Sequence, residues 1–265
     1  MSLLPLRQGG THARKRLYCL PYAGGSAGIY RSWPELVSPD INIWGVEYPG
    51  HGSRIGESLV DCVEKLADSV ANAIAAERTP YVLFGHSMGS LVAFETCHRL
   101  ATYNAGTPEL LVVSGHRAPR LPPSTPSLHA APDAEFIAHL RELGATPPEV
   151  FGSSELLELM LPILRSDFRA CETYAPPARS PLHIPIAVYG GLADKDTSCD
   201  SLRAWKHETT RDCVVRMFSG GHFFLRDSAS RVAAVLEHDL ANAFTSHRAD
   251  RASGDTKAFS PNRTP

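Results

Sequence analysis

The chain has 265 residues, of which 43% are hydrophobic, and its formal net charge is −2. This near-neutral balance gives no electrostatic case for a nucleic-acid partner or an anionic membrane surface, and no apolar run is long enough to span a bilayer. The length suffices for one α/β domain with a sizeable core.

The six cysteines are scattered along the chain without a C-x-x-C pair. This usage favours a reducing compartment, so we expect a cytoplasmic protein. Residues 1–14 contain only three leucines before polar residues follow, so they lack the apolar core of a signal peptide. We expect these residues to form a flexible N-terminus.

Residues 15–21 begin with two basic side chains and continue as an apolar run, which predicts the first strand. The segment that follows, residues 22–28, is rich in glycine. A Gly-rich loop after a strand can turn its backbone N–H groups toward a ligand, although glycine content alone fits an ordinary flexible turn equally well.

Residues 41–48 predict a second strand, which the turn-forming residues 49–54 close. His51 in this turn is a candidate base, but a solvated or turn-stabilising histidine is several times more frequent at such a position. Residues 59–76 repeat apolar side chains at helical spacing, so they predict an amphipathic helix whose apolar face lies in the core.

Residues 85–89 read Gly-His-Ser-Met-Gly, a G-x-S-x-G motif between a β-prone run at 81–84 and a helical pattern at 90–100. The pentapeptide alone is a weak signal because glycine and serine are common. Between a strand and a helix, however, the glycines let the central residue adopt a strained backbone that raises its hydroxyl above the sheet. Ser87 is therefore the predicted nucleophile.

After a buried-type strand at residues 110–114, the alternation of strands and helices stops. Residues 121–181 predict two helices instead, at 133–143 and 154–174, with Pro162 expected to kink or divide the second. Their apolar faces favour a lid over a mere decoration of the fold. Some residues on these faces are candidates to line an acyl chamber, although core packing explains their spacing equally well. These candidates are Phe136, Leu140, Leu156 and Met160.

The sheet pattern returns at residues 184–191, and Asp194 follows this strand after two glycines. An acidic residue just past a strand end lies on the carboxyl edge of a parallel sheet, where Ser87 is also expected. Asp196 and, more distantly, Asp200 compete for the same role. Asp194 is favoured because it lies nearer the strand end.

The last strand is predicted at residues 214–218, and His222 lies in the Gly-rich loop after it. A closing helix is predicted over residues 227–244. Residues 246–265 contain almost no apolar side chains, so we expect a disordered tail.

Ser87, Asp194 and His222 occur in the order nucleophile, acid, histidine, which is the order found in α/β-hydrolases. Strands that alternate with helices and read as continuous apolar runs require a parallel sheet covered on both faces. We therefore predict an α/β-hydrolase fold over residues 15–245, with a mostly parallel sheet and a helical lid. In such folds the loop after an early strand and the residue after the nucleophile donate to the oxyanion, which indicates the N–H groups of Ala23 and Met88.

The sequence contains no metal-ligand spacing, no P-loop and no G-x-G-x-x-G fingerprint. Acyl transfer without a metal or a cofactor is the chemistry that remains. Serine at its ordinary pKa is a poor nucleophile, so it needs a base to take its proton and a carboxylate to orient that base.

Five segments of the chain carry a further pattern. They are residues 20–27, 48–54, 85–89, 114–119 and 220–225. Together they resemble the type II thioesterases, the stand-alone editing enzymes of polyketide and nonribosomal peptide biosynthesis. The resemblance runs from about residue 16 to 245 and includes residues 161–168 of the insertion. Two positions depart from it: His51 stands where Arg is usual, and Lys195 follows Asp194 where Pro is usual.

The resemblance implies that Ser87 is the nucleophile, Asp194 the acid and His222 the base, with Ala23 and Met88 as oxyanion donors. It also implies a substrate acyl group held on the phosphopantetheine of an acyl or peptidyl carrier protein. The carrier belongs to another chain, so the enzyme itself needs no cofactor. We expect a monomer that binds neither nucleic acid nor membrane.

Two other readings remain open. A generic carboxylesterase or lipase would use the same three residues on oxygen esters, and only the extended motifs and the insertion favour thioesters. A binding protein can also keep a hydrolase fold without turnover. The presence of Ser87, Asp194 and His222 together argues against that second alternative.

Overall fold

A seven-stranded sheet forms the centre of the computed structural model, which describes residues 2–7, 15–103, 105–123, 126–144 and 146–254, with backbone alone from 246 onward. The strands are β1 (Ser2–Arg7), β2 (Lys15–Leu20), β3 (Ile41–Glu47), β4 (Tyr81–His86), β5 (Leu110–Ser114), β6 (Ile186–Gly191) and β7 (Cys213–Phe218). Their spatial order is β1-β3-β2-β4-β5-β6-β7, and every neighbouring pair is parallel except β1 with β3. The predicted fold class is confirmed.

Helices cover both faces of the sheet. Consecutive strand residues point to opposite sides, and since both sets are apolar, both faces must be covered. Tyr18 and Leu20 of β2 pack into one core cluster, whereas Leu17 and Cys19 pack into the other. The described helices are α1 (Trp33–Leu36), α2 (Val63–Ile74), α3 (Met88–Thr102), α4 (Asp133–Leu143), α5 (Pro148–Gly152), α6 (Ser154–Thr173), α7 (Cys199–Arg203), α8 (Phe224–Asp227) and α9 (Ala229–Gly254). The described part of the chain has no helix with the length and apolarity needed to cross a membrane.

The N-terminal prediction is wrong for residues 2–7. These residues form β1, which pairs antiparallel with β3 and places Ser2 opposite Glu47. Arg7 anchors the end of this strand, since its guanidinium donates to the backbone carbonyls of Val37 and Ile41. Edge pairing thus orders a segment whose composition alone did not predict a strand. The rest of the expected flexible N-terminus, Met1 and residues 8–14, lies outside the described residues.

The C-terminal prediction needs a similar correction. Helix α9 continues to Gly254, so the backbone of residues 246–254 is helical where disorder was expected. Few apolar residues are needed for this extension, because each added residue of a formed helix gains a backbone hydrogen bond. Residues 255–265 of the predicted tail lie outside the described residues.

The insertion between β5 and β6 contains α4, α5 and α6. Its own apolar cluster contains Phe136, Leu140 and Leu164, so the insertion packs through side chains of both long helices. Helix α4 has the bounds predicted from the sequence, and α5 was not predicted. Helix α6 runs through Pro162 without dividing, although a proline at this position cannot donate to the carbonyl four residues earlier.

Candidate active site

Ser87 lies in the sharp turn between β4 and α3, with φ 53° and ψ −116°. Among the described residues it is the one non-glycine with a positive φ. The turn is held by a bond of 2.7 Å from the Ser87 N–H to the carbonyl of Ser114. It is also tightly packed, because a Cβ on Gly85 would meet the backbone of Gly89. This is the strained geometry that exposes a nucleophile above a sheet.

The sheet topology places this turn at a crevice. From β2 the chain passes to β3 on one side, whereas from β4 it passes to β5 on the other. Loops that leave β2 and β4 at their carboxyl ends therefore diverge, and such a switch point is where open α/β sheets bind ligands. Ala23 follows β2 and Ser87 follows β4, so both border the crevice.

Asp194 and His222 come together beyond the ends of β6 and β7. The Nδ1 atom of His222 lies 2.9 Å from Oδ2 of Asp194. The same oxygen accepts a bond of 2.7 Å from the Thr197 hydroxyl, and Oδ1 accepts the N–H of Asp196 at 2.9 Å. Burial raises the pKa of Asp194, but these bonds and the nearby His222 outweigh it, so the pKa is lowered. The group is therefore a carboxylate that accepts from His222.

Thr197, which follows the predicted acid Asp194 by three residues, was not singled out from the sequence. Asp196, the main competitor for the role of acid, supplies its backbone N–H to Asp194 and is one of the residues that line the cavity. Asp200 lies in α7, where its carboxylate is 3.2 Å from Arg203.

A second histidine, His86, packs beside His222 with their ring centroids 5.2 Å apart. Its Nδ1 lies 2.9 Å from the hydroxyl of Ser114 at the end of β5. Complete burial lowers the pKa of His86 far below its ordinary value, and the neighbouring His222 lowers it further. His86 is thus neutral and adds no second positive charge beside the His222 ring.

The two predicted oxyanion donors belong to different elements, Ala23 to the loop after β2 and Met88 to the start of α3. Met88 is the first residue of α3, and N–H groups in the first turn of a helix have no acceptor within the helix. The positive end of the α3 dipole points to the same place. Ala23 lines the cavity beside Ser87, in a turn closed by a bond of 2.9 Å from the Gly25 N–H to the Tyr22 carbonyl.

A cavity of about 320 Å³ opens over Ser87 and His222. The insertion supplies much of its apolar wall through Leu128, Leu140, Leu143, Leu164 and Phe168. The insertion therefore covers the site, as a lid would.

Of the four chamber candidates, Leu140 lines this cavity. Phe136 is fully buried within the insertion and packs edge-on against Phe168, with ring centroids 5.1 Å apart. Met160 packs against the same apolar cluster. Leu156 is 41% exposed on the outer side of α6. Periodicity identified apolar faces, but it does not distinguish the face toward the cavity from the face toward the neighbouring helix.

His51 is buried, so of the two expected roles, solvated or turn-stabilising, the solvated one is wrong. Its Nε2 lies 2.8 Å from Oδ2 of Asp167 in α6, and its Nδ1 lies 3.0 Å from the Pro49 carbonyl. Asp167 also accepts the Gly24 N–H at 2.7 Å. Sequence reasoning missed Asp167, although an acidic residue among the buried positions of an amphipathic helix is the signal that could have identified it.

One set of described side chains has the donor atoms for a cation. The carboxylates of Asp194 and Asp196 and the His222 ring place ligand atoms within 4.8 Å of one another. Asp194 Oδ2 and His222 Nδ1 already bond to each other, however, so these two atoms are not free to ligate a cation. The donor set fits an acid–histidine pair better than a metal site.

Known proteins resemble this chain over most of its length. Residues 15–240 match the model of the Thioesterase domain family. Thioesterase PikA5 of Streptomyces venezuelae is 36% identical over 88% of this chain and 80% of that protein. A Brevibacillus parabrevis protein named linear gramicidin dehydrogenase LgrE is 34% identical, over 88% of this chain and 90% of that protein.

The solved structure of YbtT, described as the type II thioesterase of the yersiniabactin pathway, superimposes with a TM-score of 0.83. It is 31% identical and covers 91% of this chain and 99% of that one. The name of LgrE suggests redox chemistry, but the glycines after β2 lack the G-x-G-x-x-G spacing of a dinucleotide site.

Proposed function

This chain belongs to the thioesterase family, and from that membership we propose that it is a serine thioesterase acting in trans on carrier proteins. Its substrate is an acyl or aminoacyl chain held as a thioester on phosphopantetheine, and its role is to remove stalled or aberrant chains during polyketide or nonribosomal peptide synthesis. The observation that carries this proposal is the strained Ser87 turn beside the Asp194–His222 pair, beneath an apolar cavity.

In the proposed mechanism His222 removes the Ser87 proton while the hydroxyl oxygen attacks the thioester carbonyl. Asp194 accepts the hydrogen bond from Nδ1 of His222, which leaves Nε2 to act as the base. The negative charge of Asp194 also stabilises the imidazolium that forms. The N–H groups of Ala23 and Met88 stabilise the oxyanion, and each donor contributes roughly 3 kcal/mol.

The carbon–sulfur bond then breaks and the acyl group remains on Ser87. A free thiol has a pKa of about 8.5, so it departs as a thiolate without strong acid assistance. The thiolate then takes the proton held by His222, which leaves the imidazole neutral and able to act as a base again. His222 next takes a proton from a water molecule, which attacks the acyl-enzyme. Collapse of this second intermediate returns the proton to Ser87 and releases the carboxylic acid.

We also propose that the enzyme is a cytoplasmic monomer that needs no cofactor. All six cysteines are free, and this supports a reducing compartment. Phosphopantetheine arrives with the substrate.

The test compares one acyl group on a carrier protein, on N-acetylcysteamine and on p-nitrophenol. We expect the highest kcat/KM for the carrier protein, with the released acid identified by mass spectrometry. A preference for the oxygen ester would favour a generic esterase. A fluorophosphonate probe separates the binding-protein alternative, because a protein without turnover would not become labelled at Ser87.

A further inference from the structure

We propose that Asp167 and His51 are positioning residues that hold residues 22–28, the Ala23 loop, in place. The oxyanion site is then complete only while α6 occupies its present position. This inference rests on the proposed function, since it concerns how the same site is assembled. Helix α6 of the insertion then contributes to the geometry of the catalytic centre.

The contact joins three distant parts of the chain. A single oxygen, Oδ2 of Asp167, accepts the Gly24 N–H at 2.7 Å and lies 2.8 Å from Nε2 of His51. Gly24 follows the proposed donor Ala23, His51 lies in the turn after β3, and Asp167 lies in α6. The side chains of Asp167 and His51 are only 2% and 3% exposed. Water therefore has little access to replace either bond.

The His51 ring is bonded as a cation. Its Nδ1 faces the Pro49 carbonyl, which can only accept, while Nε2 faces the Asp167 carboxylate. Burial lowers the pKa of His51, but the bond to Asp167 and its charge, with help from Pro49 and Glu47, raise it above its ordinary value. The ring of Tyr48 packs edge-on against His51, and its hydroxyl is a further buried neighbour of this pair.

A buried ion pair of this kind is weak evidence for stability, because apolar side chains of similar volume often serve as well. The position of the His51–Asp167 pair, between α6 and the Ala23 loop, explains its presence better than a contribution to stability does. The Ala23 loop packs directly on α6, since a Cβ on Gly24 would lie 2.5 Å from Cδ2 of Leu164. Leu164 and Ala23 both line the cavity. Movement of α6 would therefore withdraw the carboxylate from Gly24 and release the residue that carries the proposed oxyanion N–H.

Substitutions at both positions test the proposal on the hydrolysis of a short acyl N-acetylcysteamine thioester. We expect Asp167→Ala to lower kcat about 10²-fold with little change in KM. A donor displaced by about 1 Å weakens the hydrogen bond to the oxyanion, and this bond stabilises the transition state rather than the bound substrate. His51→Gln should lower kcat less, since Asp167 keeps its bond to Gly24. His51→Arg should recover most of the loss, because the guanidinium restores a cation at a position where Arg is usual among the proteins that the chain resembles.

The control is Asp239→Asn, at a buried carboxylate in a similar setting away from the site. Asp239 is also a buried carboxylate with a cation and a hydroxyl as partners, Arg216 at 2.7 Å and Tyr189 at 2.9 Å, but it belongs to α9. We expect this variant to lose thermal stability and to keep its kcat. The rate of fluorophosphonate inactivation should fall in Asp167→Ala and stay unchanged in Asp239→Asn, because that adduct also places an oxygen in the oxyanion site.

Unchanged kcat in a folded Asp167→Ala protein would overturn the proposal. An equal fall in kcat for the two aspartate variants at equal loss of Tm would also overturn it, because the effect would then be general destabilisation. The proposed function fails separately, if the wild-type enzyme hydrolyses the small thioester but not the acyl-carrier protein.

Discussion

The Nδ1 atom of His222 lies 2.9 Å from Oδ2 of Asp194, and the bond joins the loops that follow two neighbouring parallel strands. The position of the acid can therefore be tested directly. Asp194→Asn should lower kcat by up to about 10⁴, because an amide there leaves the histidine in the wrong tautomer. Asp196→Asn should cost far less, since Asp196 contributes its backbone N–H to Asp194. Steady-state kinetics of the two variants on one thioester decides between them, and a larger loss in Asp196→Asn would reverse the assignment.

Ser87→Ala and Ser87→Gly test both the chemistry and the strain of the turn. Both variants should lose turnover and probe labelling. A non-glycine residue with a positive φ carries strain of about 1 to 3 kcal/mol, which exceeds the entropic cost of glycine, about 0.5 to 1 kcal/mol. Ser87→Gly should therefore have a higher Tm than Ser87→Ala in thermal unfolding. Labelling that persists in either variant would contradict the role of Ser87 as nucleophile.

Gly85→Ala tests the close packing beneath Ser87. The added methyl group would meet the backbone carbonyl of Gly89, which cannot move without displacing α3. We expect a loss of more than about 3 kcal/mol in unfolding free energy, or a Tm about 6 to 12 °C lower. Gly152→Ala is the control, because a Cβ there meets no other atom within 4 Å. Similar Tm values for the two variants would show that the turn is looser than the structure indicates.

Leu143→Phe tests whether the cavity over Ser87 is the proposed acyl chamber. Leu143 lines the cavity and is partly exposed, so a larger ring should fill space near Ser87 without overpacking the core. Loss of room for each methylene discriminates by about 1 to 3 kcal/mol. The ratio of kcat/KM for an octanoyl over an acetyl thioester should fall at least about 10-fold. Leu156→Phe, at an exposed position outside the lining, should leave this ratio unchanged.

The His51–Asp167 pair should make stability depend on pH. The folded pKa of His51 is raised above its ordinary value of about 6.5. Its contribution is therefore fully present below about pH 6.5 and is lost as the pH rises through the folded pKa. The charged groups that act on it are Asp167 and Glu47, and the Tyr48 hydroxyl keeps its proton because burial raises its pKa. The difference in Tm between wild type and His51→Gln should thus be larger at pH 6 than at pH 9. An equal difference at both values would rule out the ion pair as its source.

Much of the architecture followed from local patterns in the sequence. The strand at 110–114 has the bounds predicted from its continuous apolar run, and the helix at 133–143 has those predicted from its apolar periodicity. The fold class and the thioesterase resemblance are confirmed. They could be predicted because the order of strands, turns and candidate catalytic residues along a parallel sheet permits few topologies. The roles of Ser87, Asp194 and His222 stay predictions, now with a geometry that supports them.

Contacts between distant parts of the chain decided the rest. Composition left residues 2–7 without structure, but pairing with β3 makes them a strand. Periodicity grouped Phe136 with Leu140, and only the packing of α4 on α6 shows which of the two faces the cavity.

His51 looked like a turn residue because a sequence does not reveal its partner, which lies 116 positions away. Turn residues and apolar periodicity predict backbone conformation and apolar faces, because both depend on residues close in the sequence. The pairing of a buried charge depends on which helix is brought over the sheet. Only the tertiary structure supplies that information.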